Sequence, residues 1–101
     1  VDLLTNEYIK IKAEFQLHKR KEEKEEKEAL IQFGKRLSQI RKAKKLSFRQ
    51  LAVLCDVDYS DIKKFEKGEV NITIATLMDL AIGLGVHPKE LLGFNDDFLK
   101  E

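Results

Sequence analysis

Residues Leu46 to Gly68 constrain this chain more than any other stretch. Apolar residues recur there at helical spacing twice, and only three residues separate the two runs. From about Phe48 to Cys55, Leu51, Ala52 and Cys55 share one face; from about Tyr59 to Lys67, Ile62 and Phe65 do the same. Asp56-Val57-Asp58 makes the turn between them and buries Val57, and Gly68 is a natural C-terminal stop. The pattern is two short helices set across a tight turn. The outward face of the second carries Tyr59, Ser60, Lys63, Lys64 and Lys67. That surface suits a DNA groove, and the remaining sequence reads as its support.

Charge bounds the kind of binder this can be. The 101 residues are 43% hydrophobic and 37% charged, yet the net charge is only +1. One small domain with a heavily charged surface follows. A bulk basic excess is missing, so DNA affinity must come from local placement of cations. The single cysteine, Cys55, rules out an intrachain disulfide and fits a reducing, cytoplasmic and nucleoid-associated location. No apolar run reaches transmembrane length and no signal peptide is visible, so no membrane is expected as a partner. The sequence opens at Val1 without a methionine, as a fragment or a processed chain would.

Chemistry other than binding finds no support. Cys55 falls at a core position with no histidine or second cysteine near it in sequence. His18 and His87 lack metal-ligand spacing. No glycine-rich phosphate loop, nucleophile constellation or paired carboxylate pattern stands out. Neither a metal, a cofactor, a small-molecule ligand nor an enzymatic activity is expected.

Residues 1–28 form an N-terminal extension with two competing patterns. Ile9, Ile11, Ala13, Phe15 and Leu17 alternate with polar residues as in a strand, while Leu4, Tyr8, Ile11 and Phe15 make a helical stripe. Helix is favoured, because residues 19–28 are all strong helix formers and a lone strand has no sheet to join. Those residues, without an apolar member, read as a solvated spacer. From Ala29 to Lys44, Leu30, Phe33, Leu37 and Ile40 form an amphipathic helix ending in cations that suit its dipole. Ser47 is placed to cap the next helix, and Thr73 the one carrying Leu77, Leu80, Ala81 and Leu84. Pro88 opens a last short helix to Leu92. The expected fold is all-α: five helices in residues 29–93, with 94–101 as a tail. The core should be Phe33, Leu37, Ile40, Leu51, Ala52, Val57, Ile62, Phe65, Leu77, Leu80, Ala81, Leu84, Val86, Leu91 and Leu92.

Five segments at consistent mutual spacing are Phe33 to Arg41, Leu46 to Ala52, Tyr59 to Gly68, Thr73 to Ala81, and Leu84 to Leu92. Together they resemble the XRE-type helix-turn-helix family of phage repressors and Cro proteins, over residues 33–92. The resemblance implies a repressor-like five-helix domain that binds double-stranded DNA as a homodimer, its second motif helix in the major groove. It places Tyr59, Ser60 and Lys64 at base-reading positions, with Lys63 beside them and Asp58 at the edge. It implies phosphate contacts from Ser47, Phe48, Lys67, Asn71 and Thr73, and a structural ion pair between Arg41 and Glu66. Arg49 lies at the backbone rim on the same face. Three departures are visible. Asp56 stands where the turn often holds glycine, Phe48 where an amide is usual, and Asp58 and Asp61 bring acid near the groove. Both acids suit the start of a helix, where caps and dipole favour them.

The reading is a sequence-specific transcription regulator acting on a near-palindromic operator. The alternative is a protein-interaction module, antitoxin-like or an adaptor, which the near-neutral charge and the apolar extension would suit. The extension is expected to contribute to dimerisation, or else to fold back on the Phe94–Phe98 region.

Overall fold

The structure, a computed structural model, describes residues 3–94 and 97–99; the side chains of Leu3, Leu4 and Phe98 lie outside that description. The described residues form helices α1 (Leu3–Ala43), α2 (Phe48–Cys55), α3 (Tyr59–Lys67), α4 (Ile74–Leu84) and α5 (Pro88–Leu91), with a 3-10 turn at Asp97–Leu99 and no strand. The two patterns in the extension resolve as helix. Residues 1–33 contain no glycine or proline to interrupt it, so extension and first domain helix are one rod of 41 residues. At 1.5 Å per residue it is about 60 Å long, close to the 65 Å long axis of the molecule.

Only the C-terminal part of α1 joins the core. Phe33, Leu37 and Ile40 are buried there with Leu51, Cys55, Ile62, Phe65, Leu77, Leu80, Ala81, Leu84 and Leu91, while Ala52, Val57 and Val86 pack partly buried at its margin. Leu92 departs from the expectation. It follows the last turn of α5 and is 53% exposed, because the four-residue helix turns Leu91 inward and ends before it can bury a second leucine. Tyr8, Ile9, Ile11, Phe15 and Leu17 are all exposed, so the domain does not cover this apolar face; the 3-10 turn meets α1 nearer the domain, where Leu99 borders Glu22, Glu25, Glu26 and Ala29. Any part of Leu4 and Phe98 in such a contact falls outside the described side chains.

The ends of the helices are set by local chemistry. Ser47 caps α2 through a reciprocal box. Its Oγ accepts from the backbone N–H of Gln50 (3.1 Å), and Gln50 Oε1 accepts from the Ser47 N–H (2.8 Å). Thr73 Oγ1 accepts from the N–H of Thr76, and His87 Nδ1 from that of Lys89. Asp58 occupies the N-cap of α3, but its carboxylate makes no capping bond. Its carbonyl receives the N–H groups of Asp61 and Ile62 instead. Asp56 holds the left-handed turn conformation (φ 53°) usual for glycine, one that aspartate tolerates better than most residues.

Helix α1 and the C-terminal end of α3 approach until backbone meets backbone. A Cβ on Gly34 would lie 2.5 Å from the carbonyl oxygens of Phe65 and Glu66, and one on Gly68 2.8 Å from the Ile31 backbone. Gly68 also has φ 71°. Backbone, not a flexible side chain, fills the space at both sites, so neither contact relaxes without moving a helix. Gly34→Ala should therefore lower stability by about 1–3 kcal/mol, the range for overpacking, despite the better helix propensity of alanine. Chemical denaturation of the two chains measures the difference, and equal midpoints would show that the approach is not tight.

Candidate nucleic-acid interface

Helix α3 turns Ile62 and Phe65 into the core. At 3.6 residues per turn, that leaves Tyr59, Ser60, Lys63, Lys64 and Lys67 within an arc of roughly 140° on the opposite side. Tyr59, Ser60, Lys64 and Lys67 are exposed and Lys63 is half-buried. The N-terminus of α2 lies beside the start of this helix, and the two are joined by an aromatic contact. The rings of Phe48 and Tyr59 meet edge to face with centroids 6.3 Å apart, a favourable quadrupolar arrangement.

Cations surround that pair. The Arg41 guanidinium stacks 4.1 Å from the Phe48 ring centre, Lys63 Nζ lies 4.9 Å from the Tyr59 ring and 5.7 Å from Phe48, and the Arg49 guanidinium is 5.3 Å from Tyr59. Attraction to the ring faces holds these long side chains in place. Lys63, with its ammonium within reach of the phenol oxygen and its charge alongside, holds the Tyr59 phenol below its ordinary range, and Arg49 adds to the effect. A phenol so biased is a stronger donor to an anion such as a phosphate oxygen.

The phosphate candidates divide by what their polar groups already do. Gln50 occupies the Ser47 N–H, but the Ser47 hydroxyl proton is not committed. The N–H groups of Phe48 and Arg49 open the helix with no partner among the described residues, a ready anion site of the kind helix N-termini form. The Phe48 side chain is packed inward and takes no part. Thr73 already donates its hydroxyl to Thr76 Oγ1 (3.0 Å), so a phosphate there must replace that bond. Asn71 and Lys67 are exposed.

Behind the face sits the pair that fixes its orientation. Arg41 is 7% exposed. Its Nε donates to Glu66 Oε2 (2.6 Å), its Nη2 to Oε1 (3.1 Å) and its Nη1 to the carbonyl of Leu46 (2.7 Å). One guanidinium thus ties α1, the loop before α2, and the last turn of α3, and it leaves its flat face to Phe48. Among the described residues no buried side-chain polar atom lacks a partner. Cys55 is buried, and its Sγ donates to the Leu80 carbonyl. Burial, then the charge of Asp79, pushes its thiol up to about 11, so it is an inert packing group. No set of side chains able to hold a metal ion is found among the described residues.

Sequence reasoning did not include Gln50, although Ser-x-x-Gln ahead of an apolar run is a capping-box signature. It also gave Phe48 no role beyond its backbone. The contact of Phe48 with Arg41 and Tyr59 joins three helices and leaves no local trace.

Comparison with known proteins agrees with this fold. The helix-turn-helix family model matches residues 37–91. The chain is 36% identical over 63 residues to control protein C.BamHI of Bacillus amyloliquefaciens, covering 61% of this chain and 78% of that protein. The crystal structure of the restriction-modification controller protein C.AhdI from Aeromonas hydrophila superposes with a TM-score of 0.61. Its identity is 39%, and the match covers 61% of this chain and 94% of that one.

Two outcomes are expected from this site. Glu66→Ala strands a buried guanidinium and should cost about 3–5 kcal/mol, the range for breaking one side of a buried pair; thermal denaturation reads it. Lys63→Ala should return the Tyr59 titration upward toward the ordinary value of about 10, and ultraviolet pH titration follows the phenolate directly. No change would mean that Lys63 does not bias Tyr59.

Proposed function

The chain belongs to the XRE-type helix-turn-helix family of DNA-binding transcription regulators, and from that premise we propose that it acts as a homodimer on a near-palindromic operator. Two α3 helices would then enter successive major grooves about 34 Å apart on one face of the duplex. The observation that carries the proposal is the outward face of α3, which gathers three lysines and a tyrosine on a chain of net charge +1. The family assignment and the likeness to two control proteins support extending the role further, to control of a restriction-modification gene set inside the cytoplasm.

Roles follow from position. Ser60, Lys63 and Lys64 read base edges, Lys as a donor to guanine O6 and N7. Tyr59, at the first turn, meets a thymine methyl or a phosphate. The N–H groups of Phe48 and Arg49, the Ser47 hydroxyl and the Lys67, Asn71 and Thr73 side chains hold the backbone and set the register. Residues 1–28 serve dimerisation, residues 29–93 bind DNA, and the tail 94–101 has no assigned part in either. Binding needs no cofactor or small-molecule ligand, and no catalytic step is assigned. None of the helices among the described residues is long and apolar enough to cross a membrane.

The test is selection of bound sequences from a randomised duplex library, followed by titration of two variants. Lys64→Ala should weaken the selected operator by about 1–3 kcal/mol and random DNA by much less. Lys67→Ala should weaken both alike and reduce the salt slope by about one. Failure to enrich any sequence at low salt would overturn the regulator reading. Equal losses on both DNAs for Lys64→Ala would remove it from base readout.

A further inference from the structure

The N-terminal half of α1 leaves an apolar seam in solvent. Tyr8, Ile11 and Phe15 are 66%, 65% and 62% exposed, and with Lys12 and Gln16 they line an open groove along the helix. With Leu4 they follow steps of four, three and four, which sets Tyr8 and Phe15 at a positions and Leu4 and Ile11 at d positions of a heptad. Ile9 and Leu17 fall at b and c, off the seam. We propose that this seam pairs with the same seam of a second copy, as a short parallel in-register coiled coil. The inference rests on the homodimer reading above and specifies how that dimer is held.

The flanking charges choose both the occupant and its direction. On this register Lys12 and Lys19 stand at e, Glu7 and Glu14 at g. In a parallel pair each g residue faces the e residue of the partner's next heptad. Glu7 then meets Lys12 of the other copy, and Glu14 meets its Lys19. Twofold symmetry repeats both pairs, giving four opposite-charge contacts. An antiparallel pair sets e against e and g against g, lysine facing lysine and glutamate facing glutamate. Residues at e and g fix partner and orientation in such helices, so this helix matches itself in one direction only. Among the described residues, Glu7, Glu14 and Lys19 make no ion pair within the chain.

The same register marks where pairing ends. Glu22 and Glu25 occupy the next a and d positions after His18, and each would face its own twin. His18 turns to Glu22 of its own helix at 2.9 Å. The helices therefore separate beyond Phe15. The stretch from Phe15 to Ala29 rises about 21 Å, enough length to carry two domains from one junction toward neighbouring half-sites. A seam of two heptads is shorter than a stable free coiled coil requires. Its contribution is largest on DNA, where two bound copies raise each other's effective concentration.

Cysteine cross-linking of the full chain tests the geometry, because buried Cys55 does not compete. Under mild oxidation Ile11→Cys should form a disulfide dimer, and a mixture of Tyr8→Cys and Ile11→Cys chains should not favour the mixed product. Adding Lys12→Glu and Lys19→Glu to Ile11→Cys should cut the yield by roughly tenfold, as should adding Glu7→Lys and Glu14→Lys; mixing the two charge variants should restore it. Preferred Tyr8–Ile11 cross-linking would mean antiparallel pairing and overturn the proposal. So would a dimer seen by sedimentation without any cross-link, which would place the second copy on another surface, such as the exposed Ile74, Met78 and Ile82 stripe of α4. One copy per operator, with no cross-link, would overturn the homodimer reading itself.

Discussion

The guanidinium of Arg41 joins more of this domain than any other group. It is buried, and a buried charge is tolerated only when its donors are met. Glu66 and the Leu46 carbonyl meet them, and Phe48 covers the flat side. Each partner belongs to a different part of the candidate DNA-facing surface: the end of α3, the entry to α2, and the aromatic pair between the two helices. The pair is thus less a source of net stability than a device for orientation. An apolar replacement of equal volume could hold the core together but would not tell α3 how far to rotate.

Two glycines complete that restraint. Gly34 and Gly68 let α1 and α3 approach until backbone meets backbone, so α3 is seated on the rod rather than suspended on side chains. The rod then continues for some 40 Å beyond the seat. A rigid connection between α3 and the N-terminal extension follows from this. The orientation of the extension is transmitted to α3 through helix geometry, without an intervening hinge residue in the sequence of α1 before Gly34.

Much of this was legible from local patterns. The limits of α2 and α3 could be read because each is bounded by residues that act on their own neighbourhood: Ser47 and Asp56 for one, Asp58 and Gly68 for the other. Their apolar spacing also separated inward from outward faces, which is why Tyr59, Ser60, Lys64 and Lys67 stand exposed on α3. The extension carried both a two-residue and a helical period, and composition favoured the second. Leu92 is exposed against its apolar character, since an apolar letter after a proline-started helix does not reveal where a four-residue helix ends. Asp58 sits at a cap position, but its backbone satisfies the next turn, a choice of torsion angles that residue type does not dictate.

The sequence by itself determined the helices, the Ser47 and Thr73 caps and the gathering of cations on one face of α3, because hydrogen bonds within one turn and a 3.6-residue period depend only on neighbours in the chain. It also determined the charge register of the extension, a property of the one-dimensional pattern. The tertiary structure alone decided that Phe48 packs on Arg41 and Tyr59, that Lys63 and Arg49 crowd the phenol of Tyr59, and that Tyr8, Ile11 and Phe15 are left uncovered. Those facts depend on residues far apart in the chain and on which surfaces the small core has the volume to cover.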